Sequence, residues 1–560
     1  MLKPGLITVA LLATTSIASA QPQPQLQPAG AGGQLQQIPP APPPARNAPA
    51  MDVVSGAPSR DPAAGGEKVR VSSLRVTGNT LFSEERLIAA AGLVPGSELT
   101  LAELRDMAAR ISGFYNDRGY FLAQAYLPAQ DVSGGAVTVA VVEGRYGTTG
   151  LTNSSGLSGR VPNAILGGID SGDPVAAAGL ERRLLLLSDI PGVVVRSTLS
   201  PGAAVGTSDL LVALTPGRLV TGSVEADNGG SRYTGAYRAG GTINFNNPMG
   251  IGDRASLRLL GSSGGLAYGR AAWQLPVGDG TLGLAFTHLR YDLGREFSGL
   301  DAGGTANIFS LFGSYPLVRS RTSNLFATFA IDARNLEDRI GLVSSESDKT
   351  ARALTIGLSG DSTDRLGGGG WNAFSAGWTF GRLHIENPIE READALAGRT
   401  EGGYSRLQVA AARLQTVTRR LSLYASVRGQ LAFANLDSSE RMELGGAHGV
   451  RAFPEGEAYG DQGYVATLEG RLMLSRGAGA LPGQLQLIAF VDTGAVDHVR
   501  DAWAAGSNRS SRSGIGAGLV WSGPDHLVVR ATYAHALGDS VTTSGPHRSG
   551  RFWFQVARPF

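Results

Sequence analysis

From Arg218 to the end, the chain alternates apolar and polar residues in short segments. In "LFATFAIDAR", Leu325, Ala327, Phe329 and Ile331 share one face, opposite Thr328 and Asp332. In "LSLYASVRGQLAF", Leu421, Leu423, Val427, Leu431 and Phe433 oppose Ser422, Ser426, Arg428 and Gln430. In "HLVVRATYAHAL", Leu527, Val529, Tyr533 and Leu537 oppose His526, Arg530 and Thr532. A period of two predicts strands with one apolar face. A soluble sandwich alternates in the same way, but two features favour a transmembrane barrel. The breaks between segments are often long and polar, and the chain ends on an aromatic strand, "RFWFQVARPF". There Phe552, Phe554, Val556 and Phe560 share a face, interrupted by Arg558. In lipid every backbone group needs a partner, so this last strand is expected to close the barrel against the first, near Gly222 to Ala226.

Upstream the period changes. "KVRVSSLRVTG" predicts strand. "FSEERLIAAAG" predicts a short helix, capped by Ser83 and stopped by Gly92. "LTLAELRDMAARISGFYNDRGY" predicts a longer one: Thr100 and Glu103 form a capping box, and Leu101, Leu104, Ala108, Ile111 and Tyr115 make one stripe. "YFLAQAYL" and "GAVTVAVVEG" follow as strands, giving β-α-α-β-β. A second unit has Asp173 as cap and Pro174 opening "DPVAAAGLERRLLLLSDIPG", then strands "GVVVRSTLS" and "SDLLVALTPG". The expected organisation is therefore two small α+β units, residues 69–145 and 146–217, ahead of a barrel over 218–560.

Composition adds the compartment. Lys3, an apolar run from Leu6 to Ala13 and an Ala18-Ser19-Ala20 cleavage site predict a secretory signal over residues 1–20. Residues 21–68 are rich in Pro, Gln, Ala and Gly and are expected to be a semi-extended linker. With no cysteine, the exported chain is held by sheet pairing and burial. Glycine stands at 79 of 560 positions, about twice the average share, without a collagen period. A net charge of +2 argues against a nucleic-acid partner. Mean hydropathy is -0.02, as expected for a barrel whose strands alternate.

The stretch "GFYNDRGYFLAQAYLPAQDVSGGAVTVAVVEGRY" closely resembles the POTRA domain of the two-partner secretion transporters, the ShlB/FhaC/HecB family. The likeness continues through "LERRLLLLSDIPGV", "TSDLLV" and "EADNGGSRYTGAYRAGGTINFNNPMGIGD" (Glu225 to Asp253), and spans roughly residues 69 to 560. It implies an all-β barrel of 16 antiparallel strands in the outer membrane of a Gram-negative bacterium, with two periplasmic POTRA domains. About 340 residues give about 21 per strand and connection, enough for the ~9–11 a tilted transmembrane strand needs. The implied function is to recognise a large exoprotein, of haemolysin or adhesin type, and pass it to the cell surface. No nucleotide or other cofactor is expected. Implied partners are that exoprotein, outer-membrane lipid and the barrel assembly machinery that inserts the pore, itself a monomer. Members often carry a plug helix, but "RNAPAMDVVSGAPSRDPAAGG" has no helical stripe, so none is expected there.

The same resemblance places the stretch Leu444 to Tyr464, "LGGAHGVRAFPEGEAYGDQGY", which fits neither period. Gly449, Val450, Arg451, Ala452 and Phe453 are similar to the family's VRGY/VRGF tip of a long loop folded into the barrel. Ala452 stands where the family usually has glycine, so strain is expected if that position needs a positive φ. "LIAFVDTGAV" resembles its F-x-D-x-G strand motif, with Phe490, Asp492 and Gly494. Asp492 shares the polar phase of Gln484 and Gln486, so a pair between Arg451 and Asp492 is expected to hold the loop. A partner-binding groove is placed near Leu104, Ile111 and Tyr115, or near Leu184 and Leu187, with a core role as the alternative. No catalytic or metal site is expected, since the seven histidines (288, 384, 448, 498, 526, 535, 547) form no motif. A general barrel-assembly factor of the same superfamily remains the alternative function, with a passive porin third.

Overall fold

The computed structural model describes residues 30–39, 50–53, 67–476, 482–503, 505–539 and 541–560. The expected signal segment lies outside them. Within the expected linker, helix α1 (Ala31–Gln36) and strand β1 (Ala50–Val53) form. The chain there is thus not extended throughout, and α1 lies upstream of the stretch searched for a plug.

Strands β2 (Val69–Val71) and β3 (Ser73–Thr77) are split at Ser72, which hydrogen-bonds to the Gly135 carbonyl through both its N–H and its hydroxyl. Helix α2 (Glu84–Ala91) follows Ser83 and ends on Gly92 at φ 70°, a left-handed cap that glycine adopts without strain. After β4 (Ser97–Leu99), helix α3 (Leu101–Asn116) starts on the full Thr100–Glu103 capping box. Strands β5 (Gln124–Tyr126) and β6 (Ala136–Val142) complete a sheet in the order β3-β6-β5. Glu143, at the end of "VVEG", is a structural clamp. Its carboxylate accepts from Thr80 N at 2.6 Å, Leu81 N at 2.8 Å and Tyr115 Oη at 3.0 Å. Burial raises its pKa, but these bonds outweigh burial and leave it below the ordinary carboxylate value.

The second unit runs β7 (Arg145–Asn153), α4 (Arg160–Leu166), α5 (Ala177–Ser188), β8 (Val193–Pro201) and β9 (Thr207–Pro216), with sheet order β1-β8-β9-β7. Two features differ from expectation. Helix α4 carries no strong period and went unrecognised. Helix α5 starts at Ala177 rather than Pro174, because Pro174 bridges to Arg145 and Val175 N donates to the Gly144 carbonyl. These backbone bonds hold the expected cap region in extended pairing.

The groove assignment is corrected by burial. Leu104, Ile111 and Tyr115 lie in the core of the first unit, and Leu184 and Leu187 in that of the second, each no more than 4% exposed. Apolar side chains packed against both sheet and helix have no face left for a partner.

Beyond β9, sixteen strands close into an antiparallel barrel. The first, Val220–Asp227, pairs with the last, Gly550–Pro559, from Ser223↔Pro559 to Asp227↔Gln555. Gly222 and Phe560 exchange both backbone bonds, at 3.1 and 2.9 Å. The outward phase is apolar: Phe552, Val427, Ile331 and Tyr533 are all exposed. The inward phase carries ion pairs such as Arg258–Glu225 at 2.6 Å and Arg238–Asp227 at 2.8 Å. The second unit docks on the barrel rim, where the Asp189 carboxylate accepts from Arg319 Nε and Nη2, both at 2.8 Å.

Candidate functional site: a lumen with two occupants

The long loop runs between barrel strands Leu421–Ala432 and Gln462–Arg476 and folds into the lumen. A two-residue ladder, Met442–Glu443 against Tyr459–Gly460, makes its stem. Above it, Val450 N donates to the Leu444 carbonyl at 2.9 Å and Phe453 N to the Val450 carbonyl at 3.0 Å, closing a tight tip. Glycine at 449 serves this closure, since a Cβ there would press on the Gly445 carbonyl carbon at 2.8 Å.

Arg451 points from the tip to the wall. Its Nε donates to Asp492 Oδ2 and its Nη2 to Asp492 Oδ1, both at 2.8 Å. Arg451 N adds a bond to Oδ2 at 3.2 Å, and Nη1 reaches Glu469 Oε2 at 3.2 Å. The guanidinium carbon lies 3.2 Å from the Phe490 ring centroid. Asp492 is wholly buried, and its Oδ1 also accepts from Thr467 Oγ1 at 2.9 Å. A planar fork suits this site: one edge binds a carboxylate in two places while the face covers an aromatic ring.

The strand Gln484–Asp497 makes the wall, and alternation brings Phe490, Asp492 and Gly494 to its luminal face. Each has a separate part. Phe490 supports the guanidinium, Asp492 binds it, and Gly494 leaves room for Leu444, whose Cδ1 would stand 2.6 Å from any Cβ added there. Ala452 is not strained in φ: it lies outside the left-handed region, which in this loop is occupied by Gly446, Gly456 and Ala458. Its methyl fits because the wall opposite is Gly514, where an added Cβ would stand 2.5 Å from Ala452 Cβ.

Sequence reasoning missed four contributors. Glu469 shares the luminal phase of Thr467 and Arg471, a signal that alternation offered. Trp553 points inward from the closing strand and donates from Nε1 to the Arg451 carbonyl at 2.6 Å. Trp553 shares the inward phase of Arg551 and Gln555, a signal that alternation also offered. Glu457 and Arg512 pair at 2.6 Å and fix the far side of the tip, with Ser544 and Thr543 N–H groups also on Glu457. Nothing local marks that pair.

Helix α1 is the second occupant. Ala31 is fully buried against Leu260, Leu289, Tyr291, Ala306 and Leu336 of the wall. Its N–H donates to Asp338 Oδ1 at 2.7 Å. Gln34 meets Thr234 at 3.1 Å, Gln37 Nε2 donates to Tyr459 Oη at 2.8 Å, and Arg238 Nη1 donates to the Gln37 carbonyl at 2.8 Å. Gly32 lies on the loop itself, with Ser439 N 2.6 Å from where a Cβ would be.

Comparison with known proteins agrees with this architecture. The family described as haemolysin secretion/activation protein ShlB/FhaC/HecB matches residues 206–520, and a ShlB-type POTRA domain matches residues 69–144. The heme/hemopexin transporter protein HuxB of Haemophilus influenzae is 26% identical over 475 residues, covering 83% of this chain and 82% of its own. The outer membrane transporter CdiB of Escherichia coli is 25% identical over 460 residues, covering 77% and 76%. The solved structure of CdiB from Escherichia coli superimposes with a TM-score of 0.69 at 21% identity, over 90% of this chain and 93% of that one. BamA of Haemophilus ducreyi, lacking POTRA domains 1–3, shares the fold at a TM-score of 0.52 and 13% identity, over 88% and 100%. With more than half its length matched by the family model, this chain belongs to the haemolysin secretion/activation protein ShlB/FhaC/HecB family.

Proposed function

We infer that this chain is the outer-membrane pore of a two-partner secretion system, which takes one large exoprotein from the periplasm and passes it to the cell surface. The observation that carries the reading is the lumen: a polar passage lined by a fixed loop and filled beside it by a separate, uncharged helix. A passive diffusion pore needs neither a buried latch nor periplasmic α+β units. The exoprotein crosses unfolded, and Arg451 with Asp492 and Glu469 keeps the loop against the wall so that one side of the lumen can open while the other stays. The pore acts as a monomer, and the barrel assembly machinery inserts it, guided by Phe552, Phe554, Val556 and Phe560 of the closing strand. No step in this account requires bond chemistry by the chain.

Deleting the gene and comparing the surface and medium proteins tests the reading. One large exoprotein should disappear while other outer-membrane barrels keep their levels. A broad loss of barrels with no missing exoprotein would instead establish an assembly factor.

A further inference from the structure

Two neighbouring barrel strands, Arg254–Ser262 and Ala267–Val277, set arginines directly opposite each other on the luminal face. Register runs Thr242↔Arg258, Arg258↔Arg270 and Arg270↔Thr287, so one row holds two cations side by side between two hydroxyls. Like charges directly across a ladder destabilise it. The fold offsets only one of them. Arg258 Nη2 pairs with Glu225 Oε1 at 2.6 Å, but its Nε is buried without a partner among the described residues, as is Thr242 Oγ1. Arg270 has no carboxylate: among the described residues its one hydrogen bond runs from Nη1 to Thr287 Oγ1 at 3.1 Å. A guanidinium carries five N–H donors, so most of those on Arg270 are spare. Four residues before Arg258 on the same face, Arg254 likewise meets only an amide oxygen, Asn246 Oδ1, at 3.3 Å. None of the three serves the loop latch. Its groups Glu469, Asp492 and Arg512 lie on the twelfth to fourteenth strands, and these arginines lie on the third and fourth.

Their height in the lumen gives them a direction. The next row outward, Leu260↔Tyr268↔Leu289↔Ala306↔Leu336, is the wall on which α1 is seated. Successive rows are two residues, or about 7 Å, apart. Arg254 lies at the other end, just beyond the rim turn where the Gly250 carbonyl accepts from Ser158 N of the second periplasmic unit at 2.6 Å. The sector formed by the seventh to tenth strands is different. There Thr328, Gly357, Gly377 and Gln408 make an uncharged row, bordering a cavity of about 350 Å³. An object entering from the periplasm therefore meets one neutral, small-side-chain sector, and another where spare arginine donors lead up to α1.

We propose that Arg254, Arg258 and Arg270 form an anion track, which takes carboxylates of the exported polypeptide between the periplasmic rim and the seat of α1. The proposal rests on the secretion reading above and names the class of chain that fits. That chain is extended, carries aspartate or glutamate at intervals, and is poor in lysine and arginine where it first meets α1. A planar guanidinium fork binds a carboxylate in two places. Arg254 and Arg258 stand about 13 Å apart along their strand, so acids about four residues apart in an extended chain engage both. Hand-over from one arginine to the next keeps each hold brief, as passage requires.

The chain has no cysteine, so single thiols report on the track in the purified full-length transporter. Ala272 faces the lumen one row below Arg270, and Ser375 faces it in the uncharged sector. At Ala272→Cys a negatively charged sulfonate thiol reagent should outpace a positively charged trimethylammonium one about tenfold or more, because clustered charge raises the local concentration of its counter-ion. At Ser375→Cys the two rates should be nearly equal, and adding Arg270→Gln should bring Ala272→Cys close to that. A short peptide of alternating Glu and Gly should slow an uncharged reagent at Ala272→Cys; a Lys-Gly peptide of the same length should not. Arg270→Lys keeps the charge and loses the fork, so it should keep the reagent preference and weaken the protection. Should Arg270→Gln not insert, Arg254→Gln at the rim supplies the same comparison. Equal rates for the two charged reagents, or equal protection by both peptides or by neither, overturns the track. Equal protection by free glutarate at the same carboxylate concentration assigns it to small anions and overturns its use by a chain. Failure of the secretion reading shows separately: deleting the gene then removes no exoprotein while the reagent preference persists.

Discussion

The two occupants of the lumen are held by different physics. The loop tip is fastened by charge: Arg451 to Asp492 and Glu469, and Arg512 to Glu457, all buried. Helix α1 is an uncharged "AGGQLQ", held by amide bonds, one backbone N–H on Asp338 and close contact at Gly32. Removing one partner of a buried ion pair strands the other, which costs about 3–5 kcal/mol. Withdrawing a neutral helix returns each amide to water, where most of its bonds are remade at a net cost of about 1 kcal/mol apiece. Helix α1 is also a poor helix by itself, with two glycines in six residues. The loop is therefore built as a fixture and the helix as a stopper that can leave.

The largest way to break the contrast is Arg451→Ala. It leaves Asp492 buried without its cation and should destabilise the seated loop by about 3–5 kcal/mol. Export should collapse, the barrel should still insert, and the tip should become open to protease. Asp492→Ala should cost less, because Arg451 keeps Glu469. The double variant should be no worse than Arg451→Ala, since Glu469 retains Arg471 at 2.8 Å. Normal export by Arg451→Ala would show that the loop is held by something else.

Gly514→Ala should be next, at about 1–3 kcal/mol of overpacking against the Ala452 methyl. Adding Ala452→Gly should restore most of the loss in thermal unfolding of the purified barrel; no rescue would separate the two positions. Trp553→Phe removes one hydrogen bond to the Arg451 carbonyl and keeps the ring, so it should cost about 1 kcal/mol and lower export modestly. A change as large as that of Arg451→Ala would make the closing strand, not the wall at Asp492, the main anchor. Gly32→Leu should change barrel stability least, within about 0.5 kcal/mol. It should nonetheless raise channel conductance, because the side chain cannot fit beside Ser439. Wild-type conductance would mean that α1 does not block the pore.

Much of this was legible because strands write their faces into the sequence. Alternation put Asp492 in the lumen and Phe552 in the lipid phase, and the capping box at Thr100 marked the start of α3 to the residue. What stayed hidden depends on surfaces assembled from distant parts of the chain. Helix α1 has no stripe because its pocket, from Leu260 to Leu336, surrounds a glycine-rich turn rather than one apolar face. Pro174 had the right chemistry to open a helix, but pairing with Arg145 took that residue into a bridge. Leu184 and Leu187 looked equally suited to a groove or a core, and only packing against β8 and β9 decides for the core. At Ala452 the departure from glycine looked costly if the tip needed a positive φ; the tip does not need one, and the room for the methyl comes from Gly514, 62 residues on.

The central claim, fixed loop and removable helix, is tested most directly by tying each occupant to the same connection between the first two barrel strands, residues 228–237, and measuring export. Gly229→Cys with Ala447→Cys joins the loop to that connection, where a Cβ added at Gly229 would stand 3.3 Å from Ala447 Cβ. Gln34→Cys with Thr234→Cys, closed by a short thiol-reactive bridge, joins the helix to it. Export should continue at the wild-type level with the loop tied and should stop with the helix tied. Export that stops with the loop tied, or continues with the helix tied, would contradict the account.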